Sequence, residues 1–374
     1  MKVLIISHAY VERDNHKKIE ELSKMAGLEV GVVYPISWKT WHGEDKQQLA
    51  IDNGQLTYRE YALETFFSGD GGRYFYNPRQ LFSAIRDFKP DLIHLEEEPF
   101  TPVALQVSIF SRLLKIRMIF FSWENINFPL GAARSSIEQL VFKMSNKALA
   151  GSSGAVERLR QRGYRKDVVI LPQFGVDTEA FKKESPCKGD SFRSAFTVGF
   201  VGRPSLAKGI DTLFQAIGKL ESDVRLLIVT SSPSISNEII TLTRESGIRG
   251  GVEFKTSIPH SQLPEYFNLM DVFVLPSRTT KTWKEQFGRT LIEAMACGIP
   301  VIGSSSGAIP EVIGENGFIF KEGDSEDLSK HIKMLSSDAD LLKKMSELSL
   351  RAVREKHSFE KIAEKTAEFY FSIT

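Results

Sequence analysis

Cysteine is nearly absent. The 374 residues hold two, Cys187 and Cys297, with neither metal-ligand spacing nor a disulfide framework. That excludes a disulfide-stapled scaffold and fits a reducing compartment. Charge imbalance is missing as well: the formal net charge is +1, so no global field argues for nucleic acid as a partner. No apolar run approaches the roughly 20 residues needed to cross a bilayer, and the apolar opening at residues 1–6 is too short for a signal-peptide core. A cytoplasmic location is the expectation, with peripheral contact at the cytoplasmic membrane face left open. Glycine is missing where a dinucleotide-binding protein needs it. The first turn, residues 7–14, reads Ser-His-Ala-Tyr-Val-Glu-Arg-Asp, where the fingerprint would be Gly-x-Gly-x-x-Gly. That argues against a dehydrogenase.

What is present is ordinary soluble composition with ample apolar material, and a length that suggests two or three domains of about 150 residues each. Short apolar runs at residues 3–6, 28–34, 91–95 and 117–122 alternate with helical patterns. A polar passage at 182–194, with Pro186 and Gly189, reads as a linker. Strand and helix signals then alternate a second time, from residue 196. Two such series predict two doubly wound α/β domains.

Residues 276–304 hold the most information. An apolar run at 272–275 has the length of a buried parallel strand. A polar, partly basic loop follows. Phe287, Leu291, Ala294 and Met295 then recur at helical spacing, which predicts a helix over 287–297 closed by Gly298. Amides around 286–289 open that helix without intrahelical acceptors, so they can receive an anion, and Gly288 offers close approach to the backbone. Glu285 stands just before the helix and Glu293 about two turns inside it. An anion cradle flanked by two carboxylates suits a ligand with both phosphates and hydroxyls, as a sugar nucleotide has.

Glu285 and Glu293, with seven residues between them, Gly288 and the run Glu-Ala-Met-Ala-Cys-Gly-Ile-Pro-Val-Ile, resemble the Glu-x7-Glu signature of glycosyltransferase family 4, the group 1 glycosyl transferases. The resemblance implies a retaining enzyme of GT-B fold: two doubly wound Rossmann-like domains facing across a cleft. The expected division is residues 1–178 on the acceptor side, 179–357 binding a nucleotide sugar, and a helix at 358–374 returning to the first domain. It also implies roles. Glu285 would bind hydroxyls of the donor sugar and Glu293 the ribose diol, with the diphosphate over the amides of Gln286, Phe287, Gly288, Arg289 and Thr290. The segment Gly-Arg-Pro-Ser-Leu-Ala-Lys-Gly at 202–209 resembles the family's Gly-Arg-x(n)-Lys-Gly, so Arg203 and Lys208 would neutralise the leaving phosphates. By position, the backbone at Ser257 and Ile258 would meet the base.

The first half follows the family only in general plan. Its glycine-poor first loop leaves His8, Asn15 and Lys17 or Lys18 as substitutes, with a solvated helix face equally open for the lysines. Glu96, Glu97 and Glu98 end a strand where ligands of open sheets bind, and one of them, Glu96 first, is a candidate for acceptor hydroxyls. Trp123 stands where the family places a histidine, so Trp123 and Glu124 are further acceptor-side candidates. Trp38, Trp41 and His42 read either as an acceptor surface or as packing. A cluster of Arg158, Arg160, Arg162, Arg165 and Lys166 reads either as a solvated face or as a site for an anionic membrane or pyrophosphate-linked acceptor. Asp338-Ala339-Asp340 matches a metal-binding Asp-x-Asp of another glycosyltransferase fold, but helix capping explains it better.

The expected partners are a nucleotide-sugar donor, UDP-linked by default, and a saccharide or lipid-linked acceptor. The chemistry needs no cofactor and no metal. Two other functions remain compatible with these residues: a sugar-nucleotide epimerase or hydrolase of the same fold, and a non-catalytic nucleotide-sugar-binding protein.

Overall fold

The computed structural model describes residues 1–39, 45–47, 57–184 and 195–373. Trp41, His42, Cys187 and most of the expected linker lie outside them. The chain divides into two units, residues 1–175 with 359–374, and residues 176–358.

The first unit holds a seven-stranded sheet. Its strands are β1 (Lys2–Ile6), β2 (Glu29–Pro35), β3 (Arg59–Leu63), β4 (Leu92–Leu95), β5 (Arg117–Ser122), β6 (Lys147–Ala150) and β7 (Val168–Ile170), in the order β7-β6-β5-β4-β1-β2-β3. Every pairing is parallel. Strands covered on both faces are apolar at successive positions rather than at alternate ones. Leu4 and Ile6 accordingly point into one core with Ile93, Leu95, Met118 and Phe120, while Val3 and Ile5 point into the other with Leu92, Ile119 and Phe121. Helix α1 (His16–Ser23) covers the second face together with the last helix, Phe359–Phe371. Helices α2 (Pro78–Phe88), α3 (Pro102–Leu113), α4 (Ala132–Met144) and α5 (Ser153–Gln161) contribute to the first. Their starts follow local chemistry. Asn77 and Thr101 accept first-turn amides, and each precedes a proline that tolerates the missing donor at a helix start.

The second unit holds six parallel strands: β8 (Phe196–Val201), β9 (Val224–Val229), β10 (Val252–Lys255), β11 (Val272–Leu275), β12 (Val301–Ser304) and β13 (Phe318–Phe320), in the order β10-β9-β8-β11-β12-β13. Helix α6 (Ile210–Gly218) follows β8, and α7 (Arg289–Ala296) lies between β11 and β12. In both sheets the strand order reverses once, between β1 and β4 and between β8 and β11. The carboxyl ends of the strands beside such a reversal are where open sheets receive ligands.

Two expectations about charge change here. Lys18 lies inside the first unit instead of on a solvated helix face, held by the Glu96 carboxylate. Most of the basic cluster of 158–166 is also drawn to partners within the unit. Arg158 is 1% exposed and donates to Glu138, which Arg162 also meets at 2.6 Å. Arg160 donates to the carbonyls of Tyr164 and Lys166, Arg165 to that of Arg160, and Lys166 to those of Phe142, Lys143 and Ser145. A buried carboxylate and a set of helix-end carbonyls draw these cations in, because such groups need donors once water is excluded. The cluster therefore braces α4 against α5, with Arg165 left exposed.

Candidate active site

In the second unit the strand reversal brings three segments together. The loop after β11 places the Ser277 hydroxyl 2.8 Å from Glu285 Oε2, and Lys208 Nζ reaches the same oxygen at 2.8 Å. Lys208 also lies 4.6 Å from the Trp283 ring centroid, a cation–π distance. Arg278 joins the loops from behind: its amide donates to the Ala207 carbonyl, and its guanidinium meets Asp211 at 2.9 Å and the Thr212 hydroxyl. Glu285 is thus buried beside a cation, on the side of the sheet where the strands end. Arg203 is exposed, with no side-chain partner among the described residues.

The backbone of Glu285 is fixed by the turn after β12. The Ala308 amide donates to the Glu285 carbonyl at 3.0 Å, and Gly307, at φ +55°, packs so close that a Cβ there would lie 1.9 Å from that oxygen. Only glycine fits this turn. Gly288 has a different role from the one its sequence suggests. It stands at φ +84° as the residue before α7, and a Cβ there would meet Leu275 at 2.9 Å and Leu291 at 3.1 Å. Its missing side chain therefore faces the core, and what it supplies is the left-handed turn that starts the helix.

Helix α7 begins at Arg289, two residues later than the apolar spacing predicts, because Gly288 breaks the helical geometry before it. Its first-turn amides belong to Arg289, Thr290 and Leu291, and the last of these donates to the Gly288 carbonyl. Gln286 and Phe287 lead into the turn, Phe287 buried and Gln286 half-buried. Inside the helix Glu293 is buried, with His260 Nε2 at 2.9 Å and Arg289 Nε at 3.0 Å from Oε1. Ser257 is exposed and takes φ +57°, a strained value for a residue with a side chain. Its amide and that of Ile258 already donate to the carbonyls of Ser232 and Thr230, which leaves carbonyl oxygens as the backbone groups open to a base.

The first unit carries its own cavity of about 250 Å³ at the β1/β4 reversal, lined in part by His8, Glu97, Glu98, Trp123 and Gln173. All three acids after β4 are engaged. Glu96, buried, holds Lys18, the Tyr10 hydroxyl at 2.7 Å and Gln173 Nε2 at 3.0 Å. Glu96, which also lines the cavity, is thereby held in place from three sides. Glu97 receives the His8 amide at 2.8 Å, the Tyr74 hydroxyl at 2.7 Å and, at 2.6 Å, His8 Nδ1. Burial opposes a charge on the His8 ring, but the Glu97 carboxylate outweighs it and raises the imidazole above its usual pKa. Glu98 receives the amides of Trp123 and Glu124 on one oxygen and the Ser122 hydroxyl beside the other, and burial pushes its carboxyl up to about 7. The Trp123 indole donates to Gln173 Oε1 at 2.7 Å, and its ring fills the space that the absent side chain of Gly151 leaves. Glu124 turns back to accept the Ile126 amide. Trp38 stacks on His8 with centroids 4.7 Å apart. His8, Trp123 and their supports therefore share one cavity.

Among the described residues, no group of three or more His, Cys, Asp or Glu side chains is arranged to hold a metal ion. Asp338 accepts the Leu341 amide at 2.9 Å as a helix cap.

Residues 182–350 match the family described as Glycosyl transferases group 1. The second unit belongs to that family. Among curated proteins, N-acetyl-alpha-D-glucosaminyl L-malate synthase of Bacillus anthracis is 32% identical over 170 residues, 44% of this chain and 42% of that protein. The chain spans about half the length of the curated relatives it matches. Among solved structures, sucrose-phosphate synthase of Thermosynechococcus elongatus superposes with a TM-score of 0.73 at 19% identity, over 100% of this chain and 99% of that one. The Anabaena protein HepE, solved in complex with UDP, gives a TM-score of 0.72 at 17% identity, with both chains fully covered. At such identities the likeness shows the fold, which is GT-B.

His260, Ser277, Arg278 and Gly307 were not singled out in the sequence. A serine two residues after a strand at the reversal, and a glycine after Ser305-Ser306 at the end of the next strand, are the local signals that mark two of them. His260 and Arg278 act across long sequence distances, and no local pattern announces such pairs.

Proposed function

We propose that the chain is a retaining glycosyltransferase that moves a sugar from a nucleoside diphosphate sugar, UDP-linked, to a saccharide or lipid-linked acceptor in polysaccharide or glycoconjugate biosynthesis. The observation that carries this reading is the Lys208–Glu285 pair at the β8/β11 reversal, inside the segment matched by the family. A cation and a carboxylate 2.8 Å apart offer a partner to a phosphate oxygen and another to sugar hydroxyls. The first-turn amides of α7 lie two turns or less from Glu293, a spacing that suits a diphosphate followed by a ribose diol. HepE's complex with UDP, on the same fold, supports the choice of nucleotide.

In this reading the acceptor oxygen bonds to the anomeric carbon on the face from which the phosphate leaves. The carbon–oxygen bond to the phosphate breaks, its electron pair stays with the nucleotide, and the acceptor's proton passes to the departing phosphate oxygen. Lys208 and Arg203 stabilise the negative charge that develops there, as a metal ion would elsewhere. No base on the protein is required for that route. His8 and Trp123 in the first unit are the acceptor-side candidates.

The test is transfer from labelled nucleotide sugars to an acceptor panel by wild type, Glu285→Gln and Lys208→Met. Removal of one group that stabilises a transition state lowers turnover by about 100- to 1,000-fold, and each variant is expected to fall in that range while the fold is retained. Near-wild-type transfer by Glu285→Gln would overturn the assignment. Donor consumption without any acceptor, at the full rate, would replace it with an epimerase or hydrolase.

A further inference from the structure

One face of the first unit is apolar where a water-facing surface would be polar. The short hairpin of Thr65–Phe66 and Phe75–Tyr76 carries Phe66 and Phe67 at its turn, 49% and 66% exposed. Both rings meet Phe75, at 5.0 and 6.2 Å between centroids. Phe75 in turn lines an apolar groove of about 360 Å³ with Pro78, Pro102, Leu105, Ile109 and Ile137. Leu113, 68% exposed, lies one turn along α3 from Ile109, and Leu140, also exposed, one turn along α4 from Ile137. The patch is therefore continuous from hairpin to helices.

Two further observations define what would cover it. Phe67 sits at φ +57°, which costs a residue with a bulky side chain about 1–2 kcal/mol and here holds its ring in solvent. The turn is closed by the Asp70 amide on the Phe67 carbonyl and by the Ser68 hydroxyl on that of Ser37, with the Phe67 ring left half in water. The charges around the patch are mainly basic. Residues 99–123 contain no acid, and the single acid of α4, Glu138, is buried against Arg158. Arg112, Lys115 and Lys143 are exposed at the ends of the same two helices. The two acids of the hairpin are exposed, each beside a partner: Asp70 lies 3.5 Å from Arg73, and Glu64 accepts from Asn77.

We propose that this face seats the protein on an anionic lipid bilayer, with Phe66, Phe67 and Leu113 entering the interface and Arg112, Lys115 and Lys143 meeting the headgroups. Exposed aromatics beside a surplus of cations are what an anionic interface selects. The surface differs from the 158–166 cluster, whose cations mostly bind partners within the unit. It is also independent of the proposed chemistry, because binding is read without substrate.

Sedimentation with vesicles of phosphatidylcholine, with and without phosphatidylglycerol, tests it. Wild type is expected to bind the mixed vesicles, to leave the neutral ones unbound and to be released by salt. Arg112→Gln and Lys115→Gln are each expected to weaken binding about fivefold. Phe67→Asn should weaken it about tenfold or more. Because asparagine tolerates the left-handed backbone, that variant should be as stable as wild type or more so. A purely structural role for Phe67 predicts the opposite pattern. Vesicle binding that ignores phosphatidylglycerol, or that survives Phe67→Asn and Leu113→Asp, overturns the proposal. So does a dimer in water that Leu113→Asp dissociates, which would make a second copy of the chain the occupant.

Discussion

Glu98 is an acid in a setting that disfavours its charge. It accepts two backbone amides and a hydroxyl, yet burial dominates and its carboxyl rises from the usual 4.5 to about 7. The folded state therefore holds a proton that the unfolded chain releases between those values. Stability falls as pH rises through this window, because the folded state binds more protons there than the unfolded one. A shift of this size corresponds to on the order of 3 kcal/mol. Glu98→Gln keeps the shape and lacks the titration. The variant is expected to gain on wild type as pH rises from about 4.5 to 7 and to run parallel outside that range. Urea titrations across the pH series measure this, and parallel profiles throughout would mean that the carboxyl titrates alike in the folded and unfolded chain. His8, one cavity wall away, shifts upward for the opposite reason, a carboxylate in contact, so neighbouring groups are tuned by different forces.

Elements place these residues, and the turn after β12 is the case to test. Gly307→Ala would set a methyl group 1.9 Å from the Glu285 carbonyl oxygen, a backbone atom that has no rotamer by which to escape. The Glu285 segment must move. A displacement of about 1 Å at reacting groups lowers turnover by about 100-fold, while a left-handed alanine lowers stability by about 1–2 kcal/mol and the overpacking by about 1–3 kcal/mol more. We expect turnover to fall by roughly that factor with the protein still folded, measured by transfer assays beside thermal unfolding. Unchanged turnover would mean that the turn does not position Glu285. At this scale much was legible in the sequence. Strand, loop and helix at 272–297 follow from apolar spacing and glycine, and the parallel strands from their unbroken apolar runs. Partners across the chain were not legible. Nothing local says that Lys208 meets Glu285 across 77 positions, that His260 meets Glu293, or that Lys18 is drawn inward by Glu96. A cation's sequence neighbours do not reveal whether it faces water or a buried carboxylate, which is why the cluster at 158–166 read as a surface.

The whole molecule ties its first unit to its last helix. Residues 359–374 belong with 1–175, although 183 residues of the second unit separate them in sequence. Ile362, Ala363, Ala367, Phe369 and Tyr370 share a core with Val3, Ile5, Ile19 and Leu22, and the Tyr370 hydroxyl lies 2.6 Å from His94 Nδ1. Burial holds that imidazole down to about 3, so His94 is neutral at physiological pH and its ring suits the tyrosine as a hydrogen-bond partner. Burying the three large side chains Ile362, Phe369 and Tyr370 contributes roughly 5–9 kcal/mol, at about 1.5–3 each. Marginal stability for such a domain is about 5–15 kcal/mol. A chain ending at Ser358 is therefore expected to lose the first unit while the second stays folded, since none of the second unit's core residues lies in the deleted segment. Hydrogen exchange distinguishes the two. Amides of β1 and β4 should lose protection in the truncated chain, and those of β8 and β11 should keep it. Retained protection in β1 would show that the first sheet closes its core without the helix, and Tyr370→Phe would then have no measurable effect on stability.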